Sequence, residues 1–187
     1  MKTYTDIFND YLVNVFPAQE RYYTWFRESD SLKSAIKKAF LSEDQRGKVH
    51  GHQARVGRRR LAKAAGIALE RFNALSESYF DNFDKIHQFV QSVGAEVPGF
   101  GSLAAYDVSL RIAKYQGCDI LDVYLHAGVT QGARAMGFDV KDGETYRVDQ
   151  FPKPFNQLSP DHLENLLCIY KNVLADASAK AGKPCVR

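Results

Sequence analysis

Apolar residues recur at helical spacing along almost the whole chain. Ile7, Phe8, Tyr11, Leu12 and Val15 mark a first helix from Tyr4 to Phe16, which Pro17 ends, and Tyr22, Tyr23, Trp25 and Phe26 load a second over Ala18 to Phe26. Asp30-Ser31 can cap a third through about Phe40, and the polar, glycine-interrupted stretch from Ser42 to Gly57 reads as a loop. Arg58 to Leu75 and Asp81 to Val93 are further amphipathic helices, followed by a turn and a helix from Ser102 to Tyr115. Gly117 stops that helix, and Asp119 is expected to cap another that runs toward Met136. Ser159-Pro160-Asp161 opens the last helix with a cap, a proline in the first turn and an early acid. The pattern predicts an all-α, compact multi-helix domain over residues 1–177, with a frayed tail over 178–187. One short β-hairpin is allowed near 141–151, turning at Asp142-Gly143.

Composition narrows the class. The chain has 187 residues, 45% of them hydrophobic and 25% charged, which suits a globular domain with a real core. No run approaches the length of a membrane span, and the N-terminus lacks the apolar core of a secretory signal. Cys118, Cys168 and Cys185 are odd in number and far apart, which argues against a disulfide framework, a cysteine-held metal or an iron–sulfur cluster. A reducing, cytoplasmic setting is expected, with no cofactor: no phosphate-cradling or dinucleotide-binding glycine motif occurs. Charge is unevenly spread. Between Gln45 and Leu69 the seven charged residues are all basic (Arg46, Lys48, Arg55, Arg58, Arg59, Arg60, Lys63), leaving 18 basic and 22 acidic residues elsewhere. Such a block is directed at a polyanion.

The segment Val97-Pro98-Gly99-Phe100-Gly101-Ser102 reads apolar-Pro-Gly-apolar-Gly and leads straight into a helix. Glycines at this spacing let the backbone turn sharply, and the helix start offers amide donors and a favourable dipole to an anion. A plain inter-helix turn uses the same residues. With its flanking helices, over about residues 81–115, the segment resembles the helix-hairpin-helix DNA glycosylase superfamily. The resemblance implies that Gly99, Gly101 and Ser102 grip a DNA phosphate without reading a base. It also implies that Asp122, 21 residues after Gly101, falls on the family's catalytic carboxylate, which would stabilise an oxocarbenium-like sugar. Bifunctional members carry a Schiff-base lysine beside the hairpin; Ser102 stands there, so lyase chemistry is not implied. Phrases such as Lys48-Val49-His50-Gly51-His52-Gln53-Ala54-Arg55 and Tyr124-Leu125-His126-Ala127-Gly128 are further similar to a group of uncharacterised bacterial proteins over roughly 45–172, which implies a common fold and no activity.

The remaining polar groups admit several roles. His50 and His52 could hold a metal only if the loop turned both inward; no neighbouring acid or cysteine completes a site, so no metal is expected. They could instead donate to phosphate beside Arg55, or pin the loop to its own domain. Arg58, Arg59, Arg60 and Lys63 begin a helix whose dipole they oppose, which favours a functional reason over a solvated face. Asp107 and Arg111 are spaced for a helical ion pair. Alternatively Tyr106, Asp107, Arg111 and His126 converge with the histidines in a pocket, although a lone histidine such as His126 on an apolar helix is more often a hydrogen-bonded core residue. The expectation that follows is a DNA-backbone-binding protein, non-catalytic or of lost activity, with little sequence specificity. A monofunctional glycosylase using Asp122, and a protein-interaction module with a basic docking patch, are the alternatives. Nothing in the sequence sets the oligomeric state.

Overall fold

Local signals in the sequence start and stop most of the elements seen in the computed structural model, which describes residues 2–181. Thr3 opens α1 (Tyr4–Asn14) with a reciprocal capping box to Asp6. Pro17, expected to end this helix, sits in the first turn of α2 (Phe16–Arg27), where its missing N–H costs nothing. Ser31 caps α3 (Leu32–Leu41) and Asn82 caps α5 (Phe83–Gly94). Between them lies α4 (Arg58–Phe72), and after α5 and a turn comes α6 (Ser102–Gln116), which ends on left-handed Gly117 (φ 69°). The last long helix, α8, is Pro160–Ala181. The chain is all-α, as its periodicity predicts, apart from two three-residue strands among the described residues.

The chain divides into two compact units, residues 20–119 and residues 1–19 with 120–187, where the sequence suggests one continuous helical domain. The boundary falls inside α2. In the unit formed by residues 20–119, α3 packs against α4 and α6, and α5 packs against both α4 and α6. Ile36, Phe40, Leu61, Ile86, Val90 and Ile112 are fully buried there, about 1.5–3 kcal/mol of transfer free energy for each large side chain. The turn between α5 and α6 is fastened to this core by Val97 and Phe100, whose ring stacks on Phe40 with centroids 5.9 Å apart. Gly94 makes room for that ring, since a Cβ there would collide with it.

The second unit corrects two sequence expectations. The helix awaited from Asp119 toward Met136 is replaced by a strand, β1 (Asp122–Tyr124), and a shorter helix, α7 (Ala127–Ala135). Val123 and Tyr124 favour the extended backbone, and Val123 is wholly buried. The hairpin allowed near 141–151 is also different. Its strand exists as β2 (Thr145–Arg147), but it pairs antiparallel with β1, setting Asp122 opposite Arg147 and Tyr124 opposite Thr145. Residues 148–150 form a 3-10 turn rather than a returning strand. Behind this ribbon α7 lies tight on α8: Gly132 is required because a Cβ would strike the Leu167 carbonyl. Of the tail expected to fray over 178–187, residues 178–181 continue α8 and residues 182–187 lie outside the described residues.

Candidate phosphate-binding face and histidine cluster

Two features of the unit spanning residues 20–119 bear on function. The first is a basic face. Gly57 begins α4 and Gly101 begins α6, each as an N-cap without a side-chain hydrogen bond to the first turn. Gly99 adopts φ 83°, a conformation that glycine supplies without strain. A Cβ on Gly99 would stand 3.3 Å from the Arg60 guanidinium, so the hairpin and the basic start of α4 lie side by side. Gly101 is different. Its φ is an ordinary −85°, and a Cβ there would meet nothing within 4 Å. No internal contact therefore demands glycine at 101. A groove of about 640 Å³ runs past Val56, Gly57, Arg58, Arg59, Arg60 and Lys63.

These cations are exposed but not equally available. Arg58 is held by Glu43 Oε1 (2.6 Å) and the Gly47 carbonyl (2.6 Å), so its charge is largely compensated within the loop. Lys63 donates to the Glu96 carbonyl at 3.5 Å, a long and weak bond. Arg55, Arg59 and Arg60 are exposed, as are Gly99, Gly101 and Ser102.

The second feature is a polar cluster that no local spacing reveals. His50 follows a loop whose first residue, Ser42, is left-handed (φ 54°), and the His50 amide donates back to the Ser42 carbonyl. His50 and His52 flank Gly51 at a 3-10 turn, with ring centroids 4.9 Å apart and nearly perpendicular. From α6, Asp107 Oδ2 lies 3.1 Å from His52 Nδ1 and accepts from Gln53 Nε2 at 2.5 Å. The other end of the Gln53 amide accepts from Arg111 Nη2 at 2.8 Å. The helical pair Asp107–Arg111 is thus bridged by the amide of Gln53, which is wholly buried. Arg111, itself 2% exposed, also donates to Ser42 Oγ (2.8 Å) and the Ala39 carbonyl (3.3 Å). Its guanidinium lies near the rings of Tyr22 and Phe26, with 5.6 and 5.8 Å to their centroids.

Burial raises the Asp107 carboxyl, but the His52 hydrogen bond and the Arg111 charge outweigh it and hold Asp107 below its ordinary value. Burial, and then Arg111, push His50 down to about 4, so that ring is neutral near pH 7. The cluster combines an ionised carboxylate, a neutral imidazole and a second imidazole whose side chain is 41% exposed.

Tyr106 does not join this cluster. It is 2% exposed and packs edge-on against Phe83 with centroids 6.2 Å apart, because its helical position faces the core of α5 and α6. His126 and Asp122 belong to the other unit. His126 precedes α7 and pairs with Glu164 at 2.5 Å, both side chains buried, which is the core role its apolar setting suggests. Asp122 is half-buried at the start of β1 rather than in the first turn of a helix. Gln53, Ser42 and the Ala39 carbonyl are the members sequence reasoning missed as parts of a network; no pattern in the chain links positions 39–53 to 107–111. No family model, no curated protein and no solved structure matches the chain.

Proposed function

We propose that the basic start of α4 and the Gly99–Gly101 hairpin form a single surface that binds the DNA backbone. The observation that carries this reading is the juxtaposition of Arg60 and Gly99, which joins two features 39 residues apart in sequence into one anion-facing corner. Two helix N-termini without side-chain caps add the positive ends of their dipoles to the charges of Arg55, Arg59, Arg60 and Lys63. Gly101 supports the same reading, since its missing side chain serves no packing purpose and leaves room for a phosphate. The surface offers cations and amides but no element shaped to read base edges, so binding is backbone-directed. In this reading the protein is a helix-hairpin-helix DNA-binding protein without catalytic activity, at home in the cytoplasm.

Duplex binding measured by fluorescence anisotropy across a salt series tests the proposal. With Arg58 compensated, about four phosphates are neutralised, and log K falls against log salt with a slope of roughly −3.5. Gly101→Val adds a side chain in open space at an ordinary φ, so it costs no more than about 1 kcal/mol of N-cap preference, leaves the chain folded and weakens binding at least tenfold. Wild-type affinity in a folded Gly101→Val, or a slope near zero, overturns the reading.

A further inference from the structure

We propose that His50, His52 and Asp107 form a binding site for one divalent transition-metal ion. The sequence places two imidazoles two residues apart with no acid nearby, and such a pair is too few ligands for a stable site. Folding supplies the third. Asp107, 55 positions beyond His52, approaches from α6, and one ligand atom from each of the three side chains lies within 4.8 Å of the other two. Zinc bonds of about 2.0–2.2 Å set donor–donor edges of roughly 3.3–3.6 Å in a tetrahedron. The His52 Nδ1–Asp107 Oδ2 separation of 3.1 Å is already close to such an edge. The remaining adjustment falls on His50, whose Nδ1 accepts a long 3.4 Å contact from the His52 amide and whose ring packs on Tyr22 with centroids 5.3 Å apart, so a turn onto the ion exchanges that long contact for a metal bond.

The surroundings have the form of an outer shell. Gln53 donates to Asp107 and fixes the carboxylate, and Arg111 fixes Gln53 from behind. The Arg111 guanidinium is the nearest opposing charge. It is turned to Ser42 Oγ, the Ala39 carbonyl and Gln53 Oε1, so the amide stands between it and the Asp107 carboxylate. Two imidazoles and one carboxylate match borderline ions such as zinc or cobalt(II) rather than calcium or magnesium, which prefer oxygen sets. Three protein ligands leave a fourth position open to water or a small anionic ligand, and the 41% exposure of the His52 side chain keeps that side accessible.

Zinc titration of the chelator-stripped full chain by calorimetry, with cobalt(II) as a paramagnetic probe in proton NMR, tests the site. Wild type binds one zinc per chain, and His52→Ala, a half-exposed position that leaves the core intact, weakens binding at least tenfold with unchanged circular dichroism. Cobalt(II) shifts the imidazole protons of two of the five histidines, and those two signals are the ones altered in His50→Ala and His52→Ala. Equal zinc affinity in wild type and His52→Ala, or cobalt shifts on other histidines, overturns the proposal. Neither outcome depends on whether the chain binds DNA.

Discussion

His126–Glu164 and His52–Asp107 are the same chemical pair in two different settings. In the unit of residues 1–19 and 120–187, the His126 and Glu164 side chains are 7% and 9% exposed, within the unit whose core holds the fully buried Val129, Ala133 and Leu167. In the other unit, His52 and Asp107 sit where a loop meets a helix, with side chains 41% and 12% exposed, and a second histidine stands beside them. The first pair is closed within its own core. The second opens toward solvent on one side while Gln53 and Arg111 anchor it on the other. Burial, rather than residue type, separates a structural histidine from one that can take a ligand.

The largest expected effect tests the closed pair. Glu164→Ala removes an acceptor from a buried histidine and should cost about 3–5 kcal/mol in urea unfolding. A loss below about 1 kcal/mol would mean that the pair is solvated and that the two settings do not differ. Next in size, Arg111→Met tests the anchor of the open pair. It keeps most of the apolar volume but strands the buried Gln53 Oε1, while Ser42 Oγ keeps its bond to the Ala39 carbonyl, at a cost of about 1–3 kcal/mol. The same variant should destabilise the 42–57 loop first, read by faster amide exchange at residues 49–53 than in α3 or α4.

A pH series sharpens the comparison with a histidine that is half-buried. His87 Nδ1 faces Ser109 Oγ at 3.0 Å, and the Ser109 hydroxyl is already donated to the Ala105 carbonyl, so Nδ1 carries the proton and Nε2 accepts from Gln91. Burial lowers the His87 pKa, which favours the neutral ring in the folded protein. Below the unfolded value of about 6.5 the unfolded chain therefore binds more protons, and stability falls as pH drops until the folded ring also titrates. His50 acts in the same direction. Urea unfolding at pH 8 and pH 5.5 should show that His87→Gln loses less stability on acidification than wild type; an equal loss removes His87 from the account. The smallest effect belongs to the open pair itself. His52→Ala should cost at most about 1 kcal/mol, because a partly exposed hydrogen-bonded pair contributes little. A larger loss would make this pair structural after all.

The helix pattern was legible because each helix announces itself locally. Ser31, Asn82 and Gly117 act on their own neighbours, and apolar residues at 3.6-residue spacing need no knowledge of the rest of the chain. The basic block and the glycine hairpin were legible for the same reason, as runs of adjacent residues. Residues 120–136 were misread because β1 depends on a partner, β2, some 20 positions away, and a three-residue strand has too few residues to display a period. The sequence set Asp107 and Arg111 beside the histidines only as one alternative among several. His50 and His52 are neighbours in sequence, but Asp107, Gln53 and Arg111 meet through the packing of α6 against the 51–53 turn. The same holds for Arg60 beside Gly99. Local backbone preferences are written residue by residue, so the sequence by itself determined the helices and the available chemical groups. Which groups stand within bonding distance depends on the packing of segments distant in the chain, and only the tertiary structure decided that.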